Sequence, residues 1–156
     1  MAITFRPADA LDVPAMAAIR AQEWETEAFW AGRIGMYLRA EHSPQQALRA
    51  RAAFVALDGS ILVGFVAGHR TRRFGCDGEV QWINVAEGSR GHGIAERLIG
   101  QIGAWFVEQG ARRICVNVEP DNVIARGLYS RCGAQPLRDY WMIWENSGML
   151  VASVTG

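Results

Sequence analysis

The sequence predicts a single α/β domain built on a mixed, partly parallel central sheet of six to seven strands flanked by helices. Three observations lead there. The chain has 156 residues, the size of one ordinary domain and too short for two comfortable ones. Half of the residues are apolar and 21% are charged, the balance of a globular protein. A group of hairpin strands is followed by a strand, helix, strand, helix, strand alternation, which places part of the sheet in parallel pairing.

Taken in order, Ile3 to Arg6 reads as a first strand. Asp9 to Gln22 brings Leu11, Met16 and Ile19 to near-helical spacing, with Asp9 as N-cap. Trp24, Phe29, Trp30, Ile34, Tyr37 and Leu38 mark a second helical stretch from Glu23 to Ala40. A shorter helix is expected from Ser43 to about Arg51, started by the Ser43-Pro44 pair. The period then changes: Phe54 to Leu57 and Ile61 to Ala67 flank Asp58-Gly59-Ser60, a hairpin signal. After a turn at Gly75 to Gly78, Glu79 to Val85 forms the next strand. Alternation puts Glu79, Gln81, Ile83 and Val85 on one face unless a bulge breaks the register. Ile94, Ala95, Leu98, Ile99, Ile102, Trp105 and Phe106 then follow the i, i+3, i+4, i+7 template, and Gly110 is placed to end that helix. A strand at Arg113 to Val118, a helix at Asn122 to Cys132 and a strand at Tyr140 to Trp144 complete the pattern. The tail GMLVASVTG has some strand character and no evident role.

The 16 basic and 16 acidic residues cancel, so no excess charge draws the chain to nucleic acid or an anionic membrane. No run approaches the roughly eighteen apolar residues of a membrane helix. The N-terminus MAITFRPADALDVP carries acids and prolines where a signal peptide has basic and apolar regions, so a cytoplasmic protein is expected. Cys76, Cys115 and Cys132 are odd in number with no C-x-x-C, and His42, His69 and His92 are scattered. Neither a disulfide framework nor a metal site is expected.

The chemistry concentrates after the EVQWINV strand. Gly91 and Gly93 bare the backbone just where a helix start leaves N–H groups unpaired, and an anion is the natural guest. A dinucleotide fingerprint fails, because the third glycine position is Glu96 and five residues separate Val85 from Gly91. No glycine is followed by the lysine of a Walker loop. The hexapeptide RGHGIA, Arg90 to Ala95, fits R/Q-x-x-G-x-G/A, a pattern that an ordinary helix start with turn glycines also satisfies. Beyond one helix and one strand, NVIARGLYSRCG, Asn122 to Gly133, fits N-x-x-A-x-x-L-Y-x-x-x-G. With both motifs in register, the chain resembles the GCN5-related N-acetyltransferase (GNAT) family from Ile3 to about Trp144, most closely from Glu79 to Gly133. Ala134 is a departure, since the family commonly has an aromatic there.

The resemblance implies an N-acetyltransferase domain over residues 1–147 with a tail at 148–156, and acetyl-coenzyme A as co-substrate without a metal. Its pyrophosphate would lie on the backbone of Arg90, Gly91, His92, Gly93, Ile94 and Ala95, with Arg90 adding a full charge. The backbone of Val85 and Ala86 would take the pantetheine amides and the thioester oxygen. Tyr129 corresponds to the general acid; simple helix packing is the other reading of that residue. Glu79 corresponds to a general base, against the alternative of a solvated strand-end carboxylate, with Glu87 a second candidate. Asn122 caps its helix or bonds the pantetheine arm. Cys132 has no histidine placed in sequence to activate it and reads as a structural thiol.

The expected reaction is direct acetyl transfer, in a ternary complex, to a primary amine: a small molecule, a peptide N-terminus or a lysine. The alternative is a non-catalytic acyl-coenzyme A-binding or sensing domain. Glu23, Glu25 and Glu27 among Trp24, Phe29 and Trp30, with Tyr140 and Trp141 opposite, are candidate walls for a cationic, partly apolar acceptor, or else core aromatics beside a solvated acidic face. No nucleic-acid or membrane partner is expected, while the Trp-rich segments and apolar tail permit a homodimer.

Overall fold

The structure is a computed structural model that describes residues 2–155. Its sheet contains β1 (Ile3–Pro7), β2 (Ala47–Asp58), β3 (Ile61–Thr71), β4 (Gly78–Val85), β5 (Ile114–Asn117), β6 (Gln135–Arg138) and β7 (Trp141–Trp144). They lie in the order β1-β2-β3-β4-β5-β7-β6. Every neighbouring pair is antiparallel except β4 and β5. Those two run parallel at only three register positions: Gly78 with Ile114, Glu79 with Cys115, and Val80 with Val116.

Side-chain alternation along the strands builds a core on each face. Val55 and Phe65 turn to one side and pack with Met16 and Ile19 of α1 (Val13–Ala21) and Trp30, Ile34 and Tyr37 of α2 (Glu27–Leu38). Ala56 and Val66, their neighbours in sequence, turn to the other. There they meet α3 (Ile94–Glu108), α4 (Val123–Arg131) and α5 (Gly148–Thr155), through residues such as Leu98, Ile102, Leu128 and Leu150. The expected α/β sheet flanked by helices is therefore present, with seven strands.

Three sequence expectations are corrected. Residues from Ala47 to Arg51 belong to β2 rather than to a helix. Ala, Leu and Arg favour a helix locally, but Gln46 has φ +70° and its carbonyl accepts from Thr71 Oγ1 and from the Arg72 N–H, both at 3.2 Å. That turn lays Ala47 opposite Thr71 and starts the ladder with β3. The tail is helical: Leu150 of α5 is fully buried in the α3 face of the core, close enough that a Cβ on Gly103 would sit 2.5 Å from the Leu150 Cβ. The second helix begins at Glu27, where Thr26 Oγ1 accepts from the Phe29 N–H at 3.1 Å, so residues 23–26 form the connection.

Candidate active site

A cleft of about 920 Å³ opens where β4 and β5 separate. Past Val80 and Val116 the strands have no further partners in each other, and the cleft is walled by residues 80–85 on one side and by Val116, Asn117, Val118 and Glu119 on the other. The Ala86 N–H bonds the Val63 carbonyl at 2.8 Å. In an antiparallel ladder alternate residues point the same way, so Asn84 also faces β3 while Ile83 and Val85 direct their backbone groups at the opened edge. Of the two backbones expected to meet the pantetheine arm, Val85 thus faces the cleft and Ala86 is engaged in the sheet.

The glycine turn closes one end. Gly91 (φ +84°) and Gly93 (φ +74°) both take the left-handed conformation that glycine adopts without steric cost. Gly93 is the N-cap of α3 and no side chain caps that end, which leaves the first-turn N–H groups aimed outward. Arg90, Gly91, Gly93, Ile94 and Ala95 line the cleft; His92 is exposed and does not. This is a cradle of backbone donors plus a guanidinium, and a diphosphate fits its chemistry. Arg90 itself folds back, with Nε donating to the Val85 carbonyl at 3.1 Å and Nη2 lying 3.8 Å from Glu23.

Tyr129 and Glu79, 50 positions apart, both line this cleft. Tyr129 is buried on α4 against Trp144, with ring centroids 5.7 Å apart. Burial pushes its phenol above the ordinary value, an effect that the Arg20 charge partly offsets. Asn122 caps α4, its Oδ1 accepting from the Ala125 N–H at 3.1 Å, and also borders the cleft. Cys132 is buried, and its carbonyl accepts from Trp144 Nε1. Glu87 lies exposed outside the cleft.

Glu79 is not a solvated strand end: it is 4% exposed, and Arg73 Nε donates to its Oε1 at 3.0 Å. A β-bulge breaks the register, since Ala67 opposes Trp82 while Gly68 opposes Val80, leaving Gln81 extra. The expected common face is therefore overturned. Glu79 turns with Trp82 and Asn84 towards α1 and α2, whereas Ile83 and Val85 pack on the α3 side.

The cleft is also lined by Arg20, Glu23, Trp24, Pro44, Arg73, Trp82 and Trp141. Glu23, Trp24 and Trp141 were candidates from sequence; Glu25, Glu27, Phe29, Trp30 and Tyr140 do not line it. Arg20, Arg73 and Trp82 were missed. Arg20 stacks over the Trp30 ring at 4.6 Å and donates to Asn84 Oδ1 at 3.1 Å, and Arg73 stacks over Trp141 at 4.6 Å. Arg20 and Arg90 share the Glu23 carboxylate at 3.7 and 3.8 Å. Only arginine supplies these cations, because the chain contains no lysine. Among the described residues no group of three or more His, Cys, Asp or Glu could hold a metal ion, and no helix is long and apolar enough to cross a membrane.

Comparison with known proteins agrees with this geometry. No curated protein sequence matches the chain. Solved structures do, at low identity. The paiA N-acetyltransferase of Thermoplasma acidophilum in complex with coenzyme A is 13% identical, over 93% of this chain and 99% of that one, with a TM-score of 0.66. The ribosomal-protein-alanine N-acetyltransferase of Brucella melitensis is 17% identical over 91% and 99%, with a TM-score of 0.68. A chain of the NatC complex bound to Gag peptide and coenzyme A is 16% identical over 93% and 99%, with a TM-score of 0.72. A sequence model of the acetyltransferase (GNAT) family matches residues 15–134, from α1 past the end of α4, and the chain belongs to that family.

Proposed function

We propose that the protein is an acetyl-coenzyme A-dependent N-acetyltransferase that passes the acetyl group directly to a primary amine within a ternary complex. The observation that carries this reading is the single cleft that joins a backbone anion cradle, an opened strand edge, a buried phenol and a carboxylate. Acetyl-coenzyme A, when bound, supplies an activated acetyl thioester. The first turn of α3 and Arg90 would hold its diphosphate, with Arg90 leaving Val85 to do so. The backbone of Ile83 and Val85 would pair with the pantetheine amides as an added strand does, and N–H groups on that edge would stabilise the developing oxyanion. Glu79 would take a proton from the acceptor ammonium so that the neutral amine attacks the thioester, and Tyr129, kept protonated by burial, would give one to the departing sulfur.

The acceptor would meet the part of the cleft lined by Trp24, Trp82 and Trp141, with Arg20 and Arg73 against Glu23 and Glu79. These walls suit an amine carried on a partly apolar body.

The test is release of free thiol from acetyl-coenzyme A against a panel of amines, amino acids, polyamines, aminoglycosides and peptide N-termini, alongside calorimetric titration with the cofactor. Turnover with at least one class is expected. Tight binding with no turnover across the panel would favour a sensing domain, and failure to bind would overturn the reading.

A further inference from the structure

Behind Glu79 lies a polar chain that the reaction as written does not use. Tyr37 and His69, 32 positions apart, are both wholly buried, and the Tyr37 hydroxyl lies 2.8 Å from His69 Nδ1. Burial, opposed by Arg51 and reinforced by the Glu79 charge, holds the Tyr37 phenol well above its ordinary value, so it keeps a proton that it can donate to Nδ1. A neutral imidazole that accepts at Nδ1 carries its proton on Nε2. Nε2 is buried and has no hydrogen-bond partner among the described residues. The acceptor facing it is Glu79 Oε1, 3.7 Å away.

We propose that Tyr37 and His69 form a buried positioning relay in which the Tyr37 hydroxyl fixes the imidazole tautomer and His69 Nε2–H steadies the Glu79 carboxylate for proton transfer from the acceptor. The inference rests on Glu79 acting as the base. Arg73 Nε and His69 Nε2 both address Oε1, so Oε2 is the oxygen left to meet the amine. In the transfer an N–H bond of the ammonium breaks and an O–H bond forms at Oε2, while Arg73 Nε stays bonded to Oε1 and His69 Nε2 lies beside it. The relay exists because the β4 bulge turns Glu79 towards α2; without it the carboxylate would face the α3 side. Trp82 closes the assembly, its ring 4.9 Å from that of Tyr37.

The charged and titratable groups around Glu79 are Arg73 from the turn after β3, His69 on β3, Cys115 opposite it on β5, and Tyr37 on α2 with Arg51 stacked over its ring at 4.8 Å. Their effect is read by carboxyl-carbon NMR titration of the labelled protein, with the Glu79 signal assigned by its loss in Glu79→Gln. Removing a donor to the charged form raises a carboxyl midpoint, so His69→Leu is expected to move Glu79 up by about 0.5 to 1 pH unit. Tyr37→Phe is expected to move it the same way by less, and His69→Gln, which keeps an N–H, to restore it in part. The acid limb of kcat/KM with any amine that the panel identifies should shift with the midpoint. Tyr37→Phe removes a single oxygen and covers the case in which His69→Leu does not fold. Lower melting temperatures with an unmoved Glu79 midpoint would assign the pair a merely structural role and overturn the relay. Full activity of Glu79→Gln would instead overturn the base reading on which it rests.

Discussion

On the proposed function, burial and chemistry coincide at Tyr129. Its ring packs an amphipathic helix against Trp144, which is the bland reading of a tyrosine in that motif, and the same burial holds the proton that an acid needs. Tyr129→Phe keeps the packing and removes the proton, so kcat is expected to fall by about 10²-fold, the scale of general acid catalysis, with cofactor affinity unchanged by calorimetry. Because the phenol is raised, wild-type kcat should show no loss from its ionisation as pH passes about 10, the ordinary tyrosine value. Arg90→Ala should weaken cofactor binding about tenfold and leave kcat at saturation nearly intact, as expected for a group that grips a diphosphate far from the reacting carbon. Tyr129, Arg90 and Asn122, which line the cleft, were marked as candidates by the motifs. Arg20, His69 and Tyr37 were not, because their roles depend on partners 64 and 32 positions away that only the folded sheet brings near.

At the scale of the element, the start of α3 is built on a conformation that only glycine takes easily. Gly93→Ala would place a Cβ at φ +74°, at a cost of about 1 to 2 kcal/mol. Thermal unfolding should report that loss, and cofactor titration a weaker diphosphate cradle. Asn122→Ala removes the α4 cap and should cost about 1 kcal/mol, read in the same melts. Helix α3 was legible because its apolar period is unbroken over four turns. The segment from Ala47 to Arg51 was not, since its composition prefers a helix and only the Gln46 turn and pairing to Thr71 override it. β6 escaped notice for a related reason: four residues with Pro136 inside carry almost no strand signal, and pairing with β7 makes the strand. The bulge at Gln81 is likewise a property of two strands together, so the face of Glu79 could not be fixed from one.

Across the whole molecule, two acids tie segments together, one locally and one over 35 and 36 positions. Asp12 accepts from both terminal nitrogens of Arg6, at 2.7 and 2.8 Å, and that bonding holds its carboxyl below the usual range. Asp77 is lowered chiefly by the Arg113 N–H, with that of Arg112 beside it. Groups lowered in the folded state contribute stability that is full above the unfolded value of about 3.9 and lost as pH falls through the folded value. The melting temperature should therefore hold near neutrality and drop below about pH 4, and Asp77→Asn should flatten that drop. Leu150 ties α5 to the core, and Leu150→Ala is expected to cost about 2 to 5 kcal/mol by thermal or denaturant unfolding.

The parting of β4 from β5 after three register positions has a consequence for the molecule as an object. Its sheet is two half-sheets held along a short seam, and on the proposed function the pantetheine arm is the rung that would lengthen the seam. The substrate's carrier is then also a structural member, and free coenzyme A, which brings the same arm without the acetyl group, would brace the sheet as well as the substrate does. Saturation at a hundred times the dissociation constant would add about 2.7 kcal/mol of stability. The spent carrier would compete for the slot it has just served.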